Sequence, residues 1–385
     1  MKVLFLTNQA SYHQMHFARA MVNELGVDNF RIVFQKPTSV DRAEMGWKDD
    51  YLETFILRFW ESEKEVVAWI NDADVVIQGR FPIKYVKRRI KSGKLTFACQ
   101  ERLWKKRPTL GRKLSRLGHF YKNYISVNRS NYHFLAIGTY AAQDLNNMGF
   151  FKNRSWQFGY FIDAPEYQER PNREQIQLLW CARLSEVKQP SMALDILQGL
   201  QQRGLNAHLT MIGDGVLRGN LETDIRTRGL QASVELAGWQ TQEQVRAHMS
   251  EADLFLMTSH HGEGWGLVVN EALSYGCGVV ANQELGSAIW LVEPGVSGVL
   301  YSDQNLNDKL DELERLGRDG ILAMGKNGNM KMRSTWSSNV AAKRTIVLSQ
   351  ALLAEGSFSD IAESSINNGL DAKQLFTEGV GKFIA

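Results

Sequence analysis

The sequence predicts an α/β protein of two doubly wound domains, each with a parallel sheet, facing each other across a cleft. Three observations predict it. Apolar runs of strand length alternate with stretches of helical spacing, the mark of βαβ units around a parallel sheet. The alternation breaks once, at the polar, proline-bearing connector DAPEYQERPNREQ, and then restarts. The length, 385 residues, exceeds what one typical core sustains.

Taken in order, KVLFLT reads as a buried strand and SYHQMHFARAMVNELG as the helix after it. Met15, Ala18, Met21, Val22 and Leu25 share one face of that helix, and Gly26 suits its end. FRIVFQ is the second strand. A less regular stretch, 37–60, leads to helix EKEVVAWINDA, strand DVVIQG, helix PIKYVKRRIKSG and strand KLTFACQ. The basic segment PTLGRKLSRLGHFYKNY precedes HFLAIG, TYAAQDLNNMG and the short RSWQFGYF. Beyond the connector come strand IQLLWCAR, helix SMALDILQGLQQRG, strand HLTMIG, helix GNLETDIRTRG, strand SVELAG, helix TQEQVRAHMSEA and strand DLFLMTS. SHHGEGWGLVVNEALSYGCGVV follows, a glycine-spaced loop feeding a helix and another strand. Domains are expected over 1–162 and 175–340. A helical tail over 341–385 is expected to pack back toward the N-terminal domain.

The composition, 44% apolar and 23% charged, is that of an ordinary globular chain. MKVLFLTNQ is too short an apolar run for a signal peptide. No stretch approaches eighteen uninterrupted apolar residues, the length of a membrane span. Cys99, Cys181 and Cys277 lie far apart and are odd in number, which points to a reducing compartment and against a structural zinc site. A cytoplasmic location is expected.

Charge is unevenly spread. Residues 1–160 carry 26 Lys and Arg against 14 Asp and Glu, and residues 161–385 carry 19 against 28. Fifteen basic residues fall between Arg80 and Lys122, where Glu101 is the only acid. Leu110, Leu114, Leu117, Tyr121 and Tyr124 form one helical stripe there, flanked by Arg112, Lys113 and Arg116, and Lys105 and Lys106 precede it. A basic amphipathic helix with aromatics suits an anionic bilayer surface. Nucleic acid is not expected as a partner, because no binding motif accompanies the charge. Peripheral attachment to the inner face of the cytoplasmic membrane is therefore expected.

Chemistry concentrates in the second half. A glycine loop opening into a helix offers backbone N–H groups to a phosphate, and Glu263 and Glu271 flank that point. Arg183 and Lys188 stand at the end of the domain's first strand, where an Arg fork and a Lys point charge could neutralise a diphosphate. Gly213 and Gly215, in IGDGVLRG, follow the second strand, so a tight turn lining the same cleft is favoured over a dinucleotide fingerprint. Asp72 and Asp74 have D-x-D spacing but bridge a helix end and a strand start, which is ordinary turn chemistry. No metal and no cofactor are expected. His13, after the first strand, and Glu101, after KLTFACQ, sit at carboxyl ends of strands, where cleft residues belong.

With these pieces in order, the second half resembles the retaining GT-B glycosyltransferases of the group 1 (family 4) type, whose domains are Rossmann-like. The resemblance covers about residues 176–302: WCARLSEVKQP, HLTMIGDGVLRGNLE, VELAGWQTQEQV, SHHGEGWGLVVNEALSYGCGVVAN and EPGVSGVLY, in family order. It implies a nucleotide-sugar donor (UDP-, GDP- or ADP-linked), a glycan or lipid-linked glycan acceptor, and a place in bacterial polysaccharide biosynthesis. It implies that Glu263 contacts the donor sugar and Glu271 the ribose, and that Arg183 and Lys188 hold the diphosphate. Gly264, Trp265, Gly266 and Leu267 would supply backbone donors, and Glu101 and His13 would serve acceptor or catalysis. Two departures stand out: NQASYHQ replaces the family's double glycine after the first strand, and LGSAIW replaces G-G-x-x-E, with Ser287 and no Glu. A sugar-nucleotide epimerase and a non-catalytic sugar-nucleotide-binding partner are the alternatives.

Overall fold

The computed structural model describes residues 1–39, 50–104, 111, 117–127, 129–355, 379, 381, 383 and 384. The chain forms two compact units, Met1–Phe161 with Thr335–Ala385, and Ile162–Ser334. In the first, β1 (Val3–Thr7), β2 (Phe30–Phe34), β3 (Ile56–Arg58), β4 (Val75–Gln78), β5 (Thr96–Glu101), β6 (Tyr132–Ile137) and β7 (Ser155–Phe158) pair in parallel. Their order is β7-β6-β5-β4-β1-β2-β3. Every residue of β1 is buried, which is why it reads as a continuous apolar run rather than an alternating one. Helices α1 (Tyr12–Leu25), α2 (Phe59–Asp72), α3 (Ile83–Lys91), α4 (Leu117–Asn123) and α5 (Thr139–Asn146) complete the run to β7.

The second unit is built on β8 (Ile176–Cys181), β9 (Ala207–Ile212), β10 (Val234–Gly238), β11 (Leu254–Met257), β12 (Gly278–Asn282) and β13 (Gly298–Tyr301), all parallel. The order β10-β9-β8-β11-β12-β13 reverses direction between β8 and β11. At such a reversal the connections leave on opposite faces, and a crevice opens at the carboxyl ends of the two strands. Helices α6 (Pro190–Gln202), α7 (Arg218–Thr227), α8 (Gln242–Glu251), α9 (Val268–Ser274), α10 (Ala288–Leu291) and α11 (Leu306–Thr335) follow. The core of this unit includes Leu178, Trp180, Leu194, Leu197, Leu209, Leu256 and Met324, each at most 2% exposed.

The expected connector is not a free linker. Buried Arg170 donates to Met249 O at 3.1 Å and Tyr275 O at 2.7 Å. Arg173 pairs with the fully buried Asp253 at 3.4 Å, and Asn329 donates to Pro165 O at 3.0 Å. Polar composition suggested exposure, but these side chains satisfy buried backbone carbonyls, so the segment belongs to the second unit. The last part of the chain returns to the first unit: α12 (Ser338–Glu355) packs on α1, Trp336 stacks on Phe161 with ring centres 6.0 Å apart, and β14 (Phe383–Ile384) pairs antiparallel with β7. Among the described residues no helix is long and apolar enough to cross a membrane.

Candidate active site

The crevice at the reversal of the second sheet gathers the charged residues. After Cys181 the chain turns through Ala182, Arg183 and Leu184 into a 3-10 turn, Glu186–Lys188, and then into α6. Gln189 joins them with a left-handed backbone (φ 46°, ψ 60°), which costs a non-glycine residue roughly 1–2 kcal/mol. Strand β11 fixes Lys188 from the other side. The Trp180 indole donates to Thr258 Oγ1 at 2.8 Å, and that hydroxyl donates to Lys188 O at 2.6 Å. Its ammonium then meets the carboxylate of Glu263 in a direct ion pair, both side chains about four-fifths buried.

The glycines of IGDGVLRG hold the Arg183 turn rather than sit apart as a ligand loop. Leu184 N–H donates to Asp214 O at 3.0 Å, and Leu184 O accepts from Leu217 N–H at 3.2 Å. A Cβ on Gly213 (φ 129°) would lie 1.9 Å from Ala182 O, and one on Gly215 (φ 157°) 2.4 Å from Leu184 O. Backbone therefore packs directly on backbone, which only glycine permits at these angles. Arg183, exposed, is carried on a turn locked from beneath.

Glu271 lies in the first turn of α9 and converges on the same place. Burial pushes the Cys181 thiol up to about 12; the Glu271 carboxylate adds to the rise and Lys188 opposes it. Both charges thus act at the end of β8. The loop between β11 and α9 is braced at several points. His260 N–H donates to Val187 O at 3.2 Å, and Glu284 Oε2 accepts His261 N–H at 3.1 Å and faces its ring Nδ1 at 3.3 Å. Burial would raise the Glu284 carboxyl, but the His261 amide and ring, with the charges of His261 and His260, outweigh it and hold it below its ordinary range.

The Trp265 side chain faces inward. Its ring is 1% exposed and its indole donates to Asn270 Oδ1 at 2.7 Å, so it packs the loop from inside. Only its backbone remains for a donor, beside Gly264, Gly266 and Leu267. Glycine spacing located this loop, but a tryptophan's burial leaves no local signature in sequence.

In the first unit, His13 and Glu101 meet through a residue that the sequence did not single out. The Tyr160 hydroxyl donates to Glu101 Oε1 at 2.9 Å, and its ring lies 4.3 Å from the His13 ring, centre to centre. Glu101 ends β5, and His13, 7% exposed, stands at the start of α1 after β1. Tyr160 follows β7 in an irregular segment, where no periodicity marks it.

The cationic stretch divides. Arg89 is 2% exposed and donates to Ile70 O, Ala73 O, Asp74 O, Leu95 O and Thr96 Oγ1 at 2.5 to 3.2 Å. It ties α2 to β4 and β5, so it is no surface charge. Lys84, Arg88 and Lys91 are exposed. Lys105, Lys106, Arg112, Lys113 and Arg116 lie outside the described residues.

Residues 163–333 match the family model described as glycosyl transferases group 1. The C-terminal unit is a group 1 glycosyl transferase domain. Among curated relatives, the amylovoran biosynthesis glycosyltransferase AmsK of Erwinia amylovora is 29% identical over 176 residues, covering 44% of this chain and 43% of AmsK. The lipopolysaccharide 1,6-galactosyltransferase of Salmonella typhimurium is 27% identical over 124 residues, covering 32% of this chain and 34% of that one. The chain spans under half the length of either relative. Solved structures extend the likeness of fold to nearly all of the chain. Anabaena HepE in complex with UDP and glucose superposes with a TM-score of 0.61 at 15% identity, covering 91% of this chain and 99% of that one. The lipopolysaccharide outer core galactosyltransferase WaaB superposes with a TM-score of 0.63 at 17% identity, covering 91% and 100%. The fold is GT-B, two doubly wound α/β domains.

Proposed function

We propose that the protein is a retaining glycosyltransferase that moves a sugar from a nucleotide-sugar donor to a glycan or lipid-linked glycan in bacterial polysaccharide assembly. One observation carries the reading. Lys188 and Glu263, 75 residues apart in sequence, meet at the carboxyl ends of β8 and β11, where Glu271 and the Arg183 turn also converge.

The chemistry follows from those residue types. As the bond from the sugar C1 to the phosphate oxygen breaks, charge grows on the leaving diphosphate. Arg183 and Lys188 are preorganised to stabilise it without reorganisation. The acceptor hydroxyl attacks C1 on the face the diphosphate leaves, the new C–O bond forms, and the hydroxyl proton passes to a leaving phosphate oxygen. Glu263 orients the donor sugar and Glu271 the ribose. Two side-chain cations supply the neutralising charge, so we propose transfer without a metal or cofactor. Acceptor recognition falls to the N-terminal unit, with Glu101 and His13.

The UDP seen with HepE makes UDP-sugars the first donors to try. A thermal-shift screen over UDP-, GDP- and ADP-sugars, followed by transfer assays, tests the reading; detectable transfer with retained anomeric configuration supports it. Turnover of the donor without any acceptor, to an epimer, would replace it with an epimerase.

We also propose contact with an anionic membrane on the cytoplasmic side. Tyr121, at the end of the cationic run in α4, and Ile125, in the 3-10 turn that follows, are 62% and 52% exposed. Changing Arg112, Lys113 and Arg116 together to Glu is expected to abolish flotation with anionic liposomes; unchanged flotation refutes the contact.

A further inference from the structure

The segment after β12 carries no glutamate where the family pattern has one, yet it brings a carboxylate to the glycine loop from another position. Glu284 Oε2 takes both the His261 amide, at 3.1 Å, and faces the His261 ring, at 3.3 Å. Its own turn is held in place: Glu284 N–H donates to Asn282 Oδ1 at 2.9 Å, Gln283 N–H to Tyr301 O at 2.9 Å, and Leu285 N–H to Asn282 O at 3.1 Å. The same turn touches the loop again further along. A Cβ on Gly266 would come within 3.0 Å of Leu285 Cδ1, so that side chain already lies against the loop backbone.

The opposite side of the loop is held by the 3-10 turn. His260 N–H reaches Val187 O at 3.2 Å, a Cβ on Gly262 would lie 3.2 Å from Val187 Cγ1, and Lys188 pairs with Glu263. Glu263 is therefore two residues from His261, on a loop gripped from both flanks. A group that must meet a sugar within a few tenths of an ångström needs such support, since a misplacement of about 1 Å can cost roughly a hundredfold in rate.

We propose that Glu284, acting through His261, is a positioning residue that sets where Glu263 meets the donor sugar. This rests on the nucleotide-sugar reading above. Glu284 touches the loop at His261 and contacts neither Arg183 nor Lys188, so its loss is expected to weaken recognition of the sugar more than that of the nucleotide.

Calorimetric titration with UDP and with UDP-glucose separates the two. Glu284→Ala is expected to weaken UDP-glucose binding about tenfold, the size of a hydrogen bond to a charged group, and to leave UDP binding within about twofold. Glu284→Gln keeps an acceptor for the His261 amide and is expected to lose less; it also serves should the alanine variant fail to fold. Unchanged UDP-glucose affinity, or equal loss for both ligands, overturns the proposal. Should the wild-type protein bind neither ligand, UDP-glucose is excluded as the donor, the nucleotide and nucleotide sugar selected by the thermal-shift screen take their places, and hydrogen exchange decides the clamp independently. The His261 amide is expected to exchange at least about tenfold faster in Glu284→Ala, with the amides of β11 unchanged; equal His261 protection in variant and wild type overturns it.

Discussion

Gly213→Ala is expected to disable the site without touching any charged group in it. The added Cβ would stand 1.9 Å from Ala182 O and 2.9 Å from Ala182 C, at a φ of 129°. That backbone region is essentially reserved for glycine and costs about 1–3 kcal/mol for another residue. The clash adds to it, because the obstacle is backbone and cannot swing aside. Relief requires the Ala182–Leu184 turn, and Arg183 with it, to move by roughly 1 Å. A loss of about 3 kcal/mol lowers the melting temperature of a unit this size by about 6–12 °C, and the displaced Arg183 is expected to lower kcat/KM about a hundredfold. Gly219→Ala, in the same GDGVLRG run, is the control. Its Cβ meets nothing within 4 Å and it lies inside α7, so it is expected to raise stability by about 0.5–1 kcal/mol. Melting curves and steady-state kinetics of both variants check this. If Gly213→Ala proves as stable and as active as Gly219→Ala, the backbone-on-backbone packing does not position Arg183.

Other outcomes follow from buried groups. Burial, with the Arg154 charge, lowers the His133 imidazole to about 3, and its Nδ1 accepts the Trp156 indole N–H at 3.2 Å. The unfolded chain takes up a proton near pH 6.5 and the folded chain resists it, so stability is expected to fall as pH drops from about 6.5 toward 3. His133→Gln should flatten that part of the melting-temperature profile; an unchanged slope assigns the effect elsewhere. Arg89→Met, which removes a donor from four backbone carbonyls and the Thr96 hydroxyl, is expected to cost roughly 3 kcal/mol or more in chemical unfolding. A loss below about 1 kcal/mol would mean that water replaces the guanidinium. Trp265→Phe removes the 2.7 Å bond to Asn270 and is expected to cost about 1–3 kcal/mol, with activity falling no more than stability predicts.

Much of the fold was legible in the sequence, because parallel strands buried on both faces leave continuous apolar runs such as VLFLT and VVIQ. The crevice was legible too: Arg183, Lys188, Glu263 and Glu271 stand at strand ends, and strand ends face a doubly wound crevice. What escaped was whatever depends on three-dimensional partners. The DAPEYQERPNREQ segment looked like a linker because Arg170 and Arg173 are charged, yet their partners are carbonyls and a carboxylate about eighty residues away. Arg89 looked like a surface cation for the same reason. Tyr160 and Glu284 sit in irregular segments, where neither period nor motif distinguishes a residue that touches the site from one that does not. The strand Phe383–Ile384 is too short to announce itself, and only its pairing with β7 gives it an identity.

Turnover of Lys188→Ala and Glu271→Ala with a nucleotide sugar and its acceptor tests the central claim most directly. If the crevice at the reversal between β8 and β11 is where the donor reacts, Lys188→Ala is expected to lower kcat by about 10²–10³-fold, and Glu271→Ala is expected to raise the donor KM. Near-wild-type rates and donor affinities in both variants would contradict it.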